Sequence, residues 1–382
     1  MNRLIPLENI IVIDFTQAFS GPFATMMMAD NGARVIKIEQ TGKGDMLRDA
    51  GPFDKNHNSL YFSSGNRGKE SIELNLKNNK DIKLVKSIIK KADILAENFR
   101  PGVLDKLGLS YEEVRSINPD IIYTSVSGFG HSGPKKNDPG FDMIAQGFSG
   151  IMSLNGEVGT KSLRIGLSIG DIIGGMYAYM ATVTALYARE KNNQGTHVDI
   201  AMLDGLFSIL SPQVANFINT GRIDSPYGNA HPLVSPFGTV ITKDGEIIIS
   251  ILGSKLWHLF CGSINMPELE HNKYYATNEL RLKNRDKFRK IIRPCIKTKT
   301  SKEWIDIFHK AGIPCAKVNN MKNACEMEQI SARNMLCKAG EFTLAGNPMK
   351  MSVYQDNYVK GKVPDLGEHT DKIRNEFLKQ ED

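Results

Sequence analysis

One carboxylate, Asp171, stands between an apolar stretch, residues 164–170, and a segment typical of a helix, residues 172–191. The apolar stretch is typical of a strand, so a strand is predicted to end and a helix to begin at this carboxylate. Unpaired N–H groups at a helix N-terminus carry partial positive charge, which predicts a lowered pKa and an ionised Asp171 able to act as a nucleophile. Room for a bulky acyl group is predicted at the flanking glycines, Gly170, Gly174 and Gly175. Because aspartate is also a favoured helix cap, a purely structural role stays open from this position alone.

Other local patterns give weaker indications of chemistry. His131 and His197 stand alone in the sequence, and residues 147–150 lack the G-x-S-x-G spacing of a serine nucleophile. The loop at residues 16–22 is not G-x-G-x-x-G, which argues against a conventional dinucleotide site. The five cysteines form neither a C-x-x-C pair nor a zinc-like cluster, so we expect reduced thiols and no metal site.

The composition is that of an ordinary globular protein with more than one folding unit. The chain has 382 residues, of which 41% are hydrophobic and 24% charged. It shows neither an apolar run long enough to span a bilayer nor the pattern of a signal peptide. The formal net charge of +6 is spread among acidic residues, which favours a phosphate-bearing small ligand over nucleic acid. We therefore expect a cytoplasmic protein with neither nucleic acid nor membrane as a partner.

Alternating strand and helix patterns in the first part of the chain predict an α/β fold with a doubly wound, mostly parallel sheet. The predicted strands are residues 10–15, 35–39, 71–76, 93–96 and 121–126, and the predicted helices between them are residues 21–30, 81–89 and 111–115. Open sheets of this kind bind ligands beyond the carboxyl ends of their strands. The loops at residues 16–22 and 128–134 are therefore the first places to expect a site.

A change of composition divides the chain. Residues 1–217 are predicted to form the N-terminal part of a Rossmann-like large domain, and residues 218–227, rich in Gly, Asp, Ser and Pro, a linker. Residues 228–330 are predicted to form a smaller α+β domain, with a hairpin at residues 238–250 because Asp244-Gly245 is a favoured tight-turn pair. Residues 331–382 are predicted to contain turns, short strands and a terminal helix.

Short motifs follow one another in a fixed order along nearly the whole chain. They are Asp14, residues 20–22 and 32–39, Gly44-Asp45 with Arg48, residues 66–69, 97–102, 128–134 and 138–142, Gly170-Asp171, and residues 366–370. Each motif alone is unspecific. The full set in this order resembles the class III CoA-transferases, the CaiB/BaiF-type family that includes formyl-CoA transferase and carnitine CoA-transferase.

The resemblance implies that Asp171 is the nucleophile of an acyl-CoA:carboxylate CoA-transferase. In that family the aspartate attacks an acyl-CoA thioester to form a mixed anhydride, and the released CoA thiolate then converts the anhydride into an aspartyl-CoA thioester. The acceptor acid reverses the sequence. The implied partners are acyl-CoA and carboxylic acid substrates, with no permanently bound cofactor. The identity of both acids and the loop that shields the anhydride stay open.

The same resemblance implies a CoA site in the loops beyond the strands. It assigns the adenosine end to Asn98, Phe99 and Arg100, the phosphates to Lys69 and Lys106, and further contacts to Phe19 and Ser20.

This chain departs from the formyl-CoA enzymes at three places. Phe19 replaces a glutamine and Gln40 replaces an arginine, which argues against an oxalate-type substrate. Residues 229–236 replace a mobile run of glycines, which indicates a different lid and leaves the role of His231 open.

Two other functions stay open at this point. α-Methylacyl-CoA racemases and epimerases share the fold, and they pair the aspartate with a histidine where this chain has Phe141. Since racemisation needs two acid/base groups, transfer is favoured unless His131 or Asp142 supplies the second one. A non-catalytic CoA-binding protein is disfavoured by the presence of Asp171.

Finally, the resemblance implies an interlocked homodimer. Each chain would form a ring threaded by the other, with the large domain made from both chain ends, so that residues 331–382 return to it.

Overall fold

The computed structural model describes residues 4–354 and 361–378 and divides the chain into two compact units. The described residues of the first unit are 4–152, 164–222, 328–354 and 361–378, and those of the second unit are 153–163 and 223–327. Residues 153–163 therefore belong to the second unit, although they lie within the predicted N-terminal part of the large domain. Each unit has its own apolar core.

The first unit is built on a six-stranded sheet in which all neighbouring strands pair in parallel. Its strands are β1 (Ile11–Asp14), β2 (Arg34–Gln40), β3 (Glu70–Leu74), β4 (Ile94–Glu97), β5 (Ile122–Ser127) and β6 (Thr196–Ala201). The spatial order is β3-β2-β1-β4-β5-β6, so the direction of winding reverses between β1 and β4. The parallel pairing confirms the predicted α/β class and the parallel sheet. In open sheets of this kind, ligands bind beyond the carboxyl ends of the strands at the point where the strand order reverses.

Helices cover both faces of this sheet. The helices of the first unit up to residue 222 are α1 (Ser20–Asp30), α2 (Leu60–Asn66), α3 (Asn79–Ile89), α4 (Tyr111–Ile117), α5 (Asp142–Ser149), α6 (Ile169–Asn192), α7 (Met202–Ser208) and α8 (Ser211–Thr220). Because successive strand residues point to opposite faces, Val12 packs with α1 and α6, whereas Ile13 packs with α3 and α4. Both neighbours on β1 are fully buried, as expected for a parallel sheet covered on two sides.

The second unit combines a small antiparallel sheet with a helical layer. Its elements are β7 (Phe237–Ile241), β8 (Glu246–Ser250), α9 (Gly253–Ser263), α10 (Asn278–Lys283), α11 (Arg285–Ile296), α12 (Ser301–Lys310), β9 (Cys315–Lys317) and α13 (Met321–Cys325). The predicted hairpin is confirmed as β7 and β8, which pair in antiparallel fashion around Asp244 and Gly245. Trp257, Trp304 and Phe308 are buried in its core.

The C-terminal segment packs on the sheet of the first unit. It contributes α14 (Glu328–Ala332), the hairpin strands β10 (Leu336–Ala339) and β11 (Phe342–Ala345), and α15 (Thr370–Leu378). The backbone N–H of His369 donates to the Ser71 carbonyl on β3 at 2.9 Å, and Ile373 joins the core between the sheet and α3. The described residues beyond 327 therefore belong to the large unit.

The structure contradicts the predicted strand at residues 164–170. No strand forms there, and α6 already begins at Ile169. The strand that pairs with β5 is β6, which follows α6 in the chain rather than preceding it.

Among the described residues, α6 is the one helix that is long and apolar enough to cross a bilayer. The sequence analysis had found no such run. Ala185 and Leu186 of α6 are buried against the sheet, whereas Met176, Met180 and Tyr187 are exposed.

Candidate active site

A cavity of about 210 Å³ opens at the carboxyl end of the sheet, beside the point where the strand order reverses. The loops after β1, β4 and β5 and the first turn of α6 contribute to its wall, with Gln17, Ala18, Ser20, Asn98, Phe99, Arg100, Ser127, Phe129, Lys136, Asp138, Phe141 and Asp171 among the lining residues. The structure thus brings Asp171 together with four residues that were predicted to bind CoA: Ser20, Asn98, Phe99 and Arg100.

Asp171 is the third residue of α6 and is partly buried. Ser168 precedes the helix without capping it through its side chain, so Asp171 lies inside the first turn rather than at the cap. Burial, with a smaller contribution from the Asp142 carboxylate, raises the pKa of Asp171 to about 7. This contradicts the predicted lowering of the pKa, because the loss of hydration outweighs the partial charges at the helix end.

Asp142, the first residue of α5, caps the N-terminus of α6 through its side chain. Its Oδ1 accepts a hydrogen bond from the Gly170 N–H at 2.7 Å, and its Oδ2 accepts one from Gln146 Nε2 at 2.8 Å. A Cβ at Gly170 would lie 2.9 Å from Asp142 Oδ1. The glycine therefore admits a second carboxylate close to Asp171, and repulsion between the two carboxylates contributes to the raised pKa.

The glycines near Asp171 serve packing within the protein rather than room for an acyl group. A Cβ at Gly175 would lie 2.5 Å from the Ser20 carbonyl oxygen in α1, and one at Gly174 would lie 3.1 Å from Met202 Cγ. Together with Gly170, they let α1, α5 and α7 approach the start of α6. The expectation that they leave space for the substrate is therefore not met.

The residues after β4 are held by hydrogen bonds that also shape the neighbouring loop. Asn98 Oδ1 accepts from the Gln17 N–H at 2.8 Å, and Asn98 Nδ2 donates to the Gln17 carbonyl at 2.7 Å. The Phe99 N–H donates to Glu97 Oε2 at 2.8 Å, and burial raises the pKa of Glu97 to about 7. Arg100 stays exposed at the rim. Asn98 thus ties two cavity loops together.

Lys136 is a cation of the cavity wall that the sequence analysis missed. It is exposed and lies in the loop after β5, next to the turn-rich residues 128–134 that had marked this loop for inspection.

Three predicted CoA contacts do not line this cavity. Lys69 is completely buried, with its Nζ 3.0 Å from Asp14 Oδ2 and 2.8 Å from Asn66 Oδ1. Burial lowers the pKa of Lys69 to about 8. Phe19 packs against Phe23 and Tyr61, with ring centroids 5.7 and 5.0 Å away. Lys106 is exposed in a short 3₁₀ turn, Asp105–Leu107. The expected role of Lys69 at a phosphate is thereby corrected, since its ammonium has no access to solvent.

Residues 7–370 match the family model of CoA-transferase family III. The chain belongs to this family. It is 39% identical to the acetyl-CoA:oxalate CoA-transferase of Acetobacter aceti over 98% of the chain and 97% of that relative. It is 33% identical to the human succinyl-CoA:glutarate CoA-transferase over 100% of the chain and 88% of that relative.

Solved structures agree with this assignment. The fold matches the crystal structure of a CaiB/BaiF family protein from Brucella suis with a TM-score of 0.90, at 32% identity over 97% of this chain and 99% of that one. The protein is accordingly an acyl-CoA:carboxylate CoA-transferase, and CoA thioesters are its substrates.

In this CoA-transferase, neither His131 nor Asp142, the groups that could supply the second acid/base of a racemase, lines the cavity. Phe141 lines the cavity and cannot carry a proton. His131 is turned toward Glu97, with Nε2 3.7 Å from Oε1, and Asp142 uses both oxygens as hydrogen-bond acceptors. The geometry therefore agrees with transfer rather than racemisation.

His231 lies in the second unit of the transferase. Its ring stacks on Phe237 at 4.9 Å, its Nδ1 accepts from the Leu233 N–H, and its carbonyl accepts from Arg285. These contacts give it a structural role. Within the described parts of the chain, no group of three or more His, Cys, Asp or Glu side chains is arranged to hold a metal ion.

Proposed function

We propose that this CoA-transferase works through covalent intermediates on Asp171. Two carboxylates line the cavity, and Asp138 is held by the Lys135 ammonium at 2.9 Å. Asp171 instead lies in the first turn of α6 between the loops that are proposed to bind CoA. This position of Asp171 is the observation that carries the proposal.

The reaction needs four substitutions at acyl carbons. Ionised Asp171 attacks the thioester carbon of the donor, the C–S bond breaks, and CoA leaves as the thiolate from a mixed anhydride. The thiolate attacks the aspartyl carbonyl of the anhydride, releasing the donor acid and leaving an aspartyl-CoA thioester. The acceptor carboxylate attacks that thioester and expels the thiolate. Attack of the thiolate on the acceptor's carbonyl then releases the new acyl-CoA and free Asp171.

The orientation proposed for CoA follows the chemistry of the cavity wall. The face of Phe99 suits the adenine ring, while Arg100 and Lys136 offer charges for the phosphates, with Lys106 farther along the chain. Ser20 lines the same cavity as Asp171, which suits contact with the reacting end. Lys69 and Phe19 have no part in this proposal.

For the acceptor, we propose a short dicarboxylic acid. The two relatives named above carry oxalate and glutarate in their names. Phe19, whose replacement of a glutamine had argued against oxalate, packs away from the cavity wall. The departure at this position therefore gives no reason to leave oxalate out.

The test combines turnover with mass spectrometry. Acetyl-CoA and succinyl-CoA are offered with oxalate, glutarate and succinate, and the reaction is quenched during turnover. We expect a CoA adduct on the peptide that contains Asp171, and a loss of kcat of roughly 10³-fold or more in Asp171→Asn. Asp138→Asn is the matched control and should still form the adduct. Full activity of Asp171→Asn, or turnover without an adduct, contradicts the proposal.

We further propose a homodimer, interlocked as in the family. Support comes from large apolar side chains left exposed on helices of the first unit. They include Met143 and Phe148 on α5, Met176, Met180 and Tyr187 on α6, and Phe217 and Ile218 on α8. Exposed apolar surface of this extent is typical of an interface.

A cytoplasmic location is also proposed. It is supported by Cys261, Cys295, Cys315, Cys325 and Cys337, which are all free thiols, as is usual in a reducing compartment.

A further inference from the structure

A cluster of four buried charged side chains lies next to the loop that follows β1. It consists of Asp14, Lys37, Asp45 and Lys69, whose side chains are all completely inaccessible to solvent. Lys69 Nζ lies 3.0 Å from Asp14 Oδ2, and Lys37 Nζ lies 2.9 Å from Asp45 Oδ2. Because the desolvation of two charges can cancel their attraction, such pairs are weak evidence of a contribution to stability alone. Their contacts with the loop give them another role.

Side chains from outside the loop hold the backbone at three successive residues, 16–18. Lys37 Nζ donates to the Thr16 carbonyl at 2.6 Å. Gln17 is held through both its N–H and its carbonyl by Asn98. The Ala18 N–H donates to Asp45 Oδ1 at 3.1 Å. Since Gln17, Ala18 and Ser20 line the cavity, this network fixes one side of the active site.

Ala18 adopts a backbone conformation that L-residues other than glycine rarely take. Its φ is +59°, in the left-handed region, where the Cβ is crowded. Strained residues of this kind persist where their surroundings determine the conformation, and they cluster at functional sites. The hydrogen bond from the Ala18 N–H to Asp45 acts on the strained residue itself.

Asp45 also joins the loops after β1 and β2. Its Oδ1 accepts from the Leu47 N–H at 3.0 Å, and its own N–H donates to Glu39 Oε1 at 2.9 Å. The carboxylate is thus anchored by its own loop and by Lys37 before it reaches Ala18.

We propose that Asp45, held by Lys37, is a positioning residue for CoA transfer: its carboxylate keeps Ala18 in the left-handed conformation and thereby fixes residues 17–20 at the place where the acyl group reacts. This proposal rests on the proposed function, because it takes the cavity around Asp171 as the place of reaction. Asp45 does not touch the substrate and acts only through the loop.

The experiment is a double-mutant cycle between Asp45 and Ala18. Asp45→Ala should lower kcat by ~10²-fold, since a displacement of about 1 Å in a reacting site can have that effect. Glycine takes a positive φ without penalty, so the loss caused by Asp45→Ala should be at least about 10-fold smaller in the background Ala18→Gly. A purely structural role of Asp45 would give equal losses of kcat in both backgrounds.

A matched control is available in the same unit. Asp30, the last residue of α1, forms a buried ion pair with Arg67, whose Nε donates to Asp30 Oδ1 at 2.8 Å. Asp30→Ala removes a buried partner of the same kind, so the melting temperature should fall while kcat stays within about 3-fold of the wild type. If Asp45→Ala does not fold, the cycle is run with Asp45→Asn, which weakens the anchor to Lys37.

Two results would overturn the inference: a folded Asp45 variant with wild-type kcat, or equal losses of kcat in the Ala18 and Ala18→Gly backgrounds. The adduct on Asp171 separates this failure from that of the proposed function. If the wild type turns over without an adduct, the proposed function fails. If it forms the adduct and the Asp45 variant forms it equally fast, only the positioning role fails.

Discussion

At the scale of single residues, the burial that shapes the candidate active site opposes the ionisation of the proposed nucleophile. Asp171 must be charged to attack a thioester, yet its partial burial and the neighbouring carboxylate of Asp142 raise its pKa to about 7. In the proposed mechanism, the same burial keeps water away from an anhydride on this side chain. Near neutral pH the proposed nucleophile is therefore ionised in only part of the molecules.

This pKa predicts the pH dependence of turnover. Because the pKa is raised to about 7, protonated Asp171 predominates below that pH, so kcat/KM should fall as the pH decreases through this value. Asp142→Asn removes the like charge and should move this acidic limb to lower pH. The measurement is a pH profile of kcat/KM for the acyl-CoA in both proteins.

The control for this profile is Asp49→Asn, a change of an exposed carboxylate in the same unit. It should leave the acidic limb in place. If the acidic limb of the kcat/KM profile lies at the same pH in Asp142→Asn as in the wild type, the charge of Asp142 does not act on the proposed nucleophile.

At the scale of elements, the start of α6 depends on close contact with its neighbours. α5 supplies the Asp142 cap at Gly170, and the first turn of α1 lies against Gly175. The same turn of α1 carries Ser20, which lines the cavity. Packing of α1 on α6 therefore sets the distance between two walls of the site.

Gly175→Ala tests this packing. The new Cβ would lie 2.5 Å from the Ser20 carbonyl oxygen, which is backbone and cannot rotate away. Such overpacking should lower the free energy of unfolding by about 1–3 kcal/mol, and kcat should fall as the first turn of α1 moves. Urea unfolding and steady-state kinetics measure the two effects.

Gly147→Ala in α5 is the matched control. This glycine is exposed, and its Cβ would find its nearest atom, Met152 Sδ, 3.9 Å away. Alanine is the better helix former, so this change should raise the free energy of unfolding by roughly 0.5–1 kcal/mol. If both substitutions shift the unfolding curve alike, close packing is not the reason for glycine at position 175.

At the scale of the whole molecule, the chain path and the exposed apolar helices bear on assembly. The first unit takes in the N-terminal part of the chain and the described residues beyond 327, so the second unit is an insertion in it. Apolar side chains on α5, α6 and α8 have no covering in the single chain. Both features suit the proposed interlocked homodimer.

Sedimentation should therefore give twice the 42.4 kDa mass of one chain. Threaded rings cannot separate without unfolding, so the dimer should persist on dilution, and two differently labelled native samples should not exchange subunits. Monomers should appear only in denaturant, together with the loss of helical circular dichroism. A native monomer contradicts the homodimer, and subunit exchange between native samples contradicts the interlocking alone.

Much of the fold could be predicted because its signals are local. The β-branched runs at β1, β2 and β5 and the Asp244-Gly245 turn each determine an element from a few neighbouring residues. The site was predicted differently. Asp171 and residues 98–100 were assigned through the order of motifs along the chain, and the structure brings these residues to one cavity.

The sequence by itself therefore determined the parallel α/β sheet, the hairpin of the second unit and the family, because periodicity and motif order are properties of the chain. Only the tertiary structure decided that Lys69 is buried, that the glycines of α6 serve packing, and that Asp142 approaches Asp171. These facts depend on residues far apart in the sequence. Hydration and charge at a side chain are set by the neighbours that folding brings to it, and so the pKa of Asp171 is raised where the helix end alone predicted a lower one.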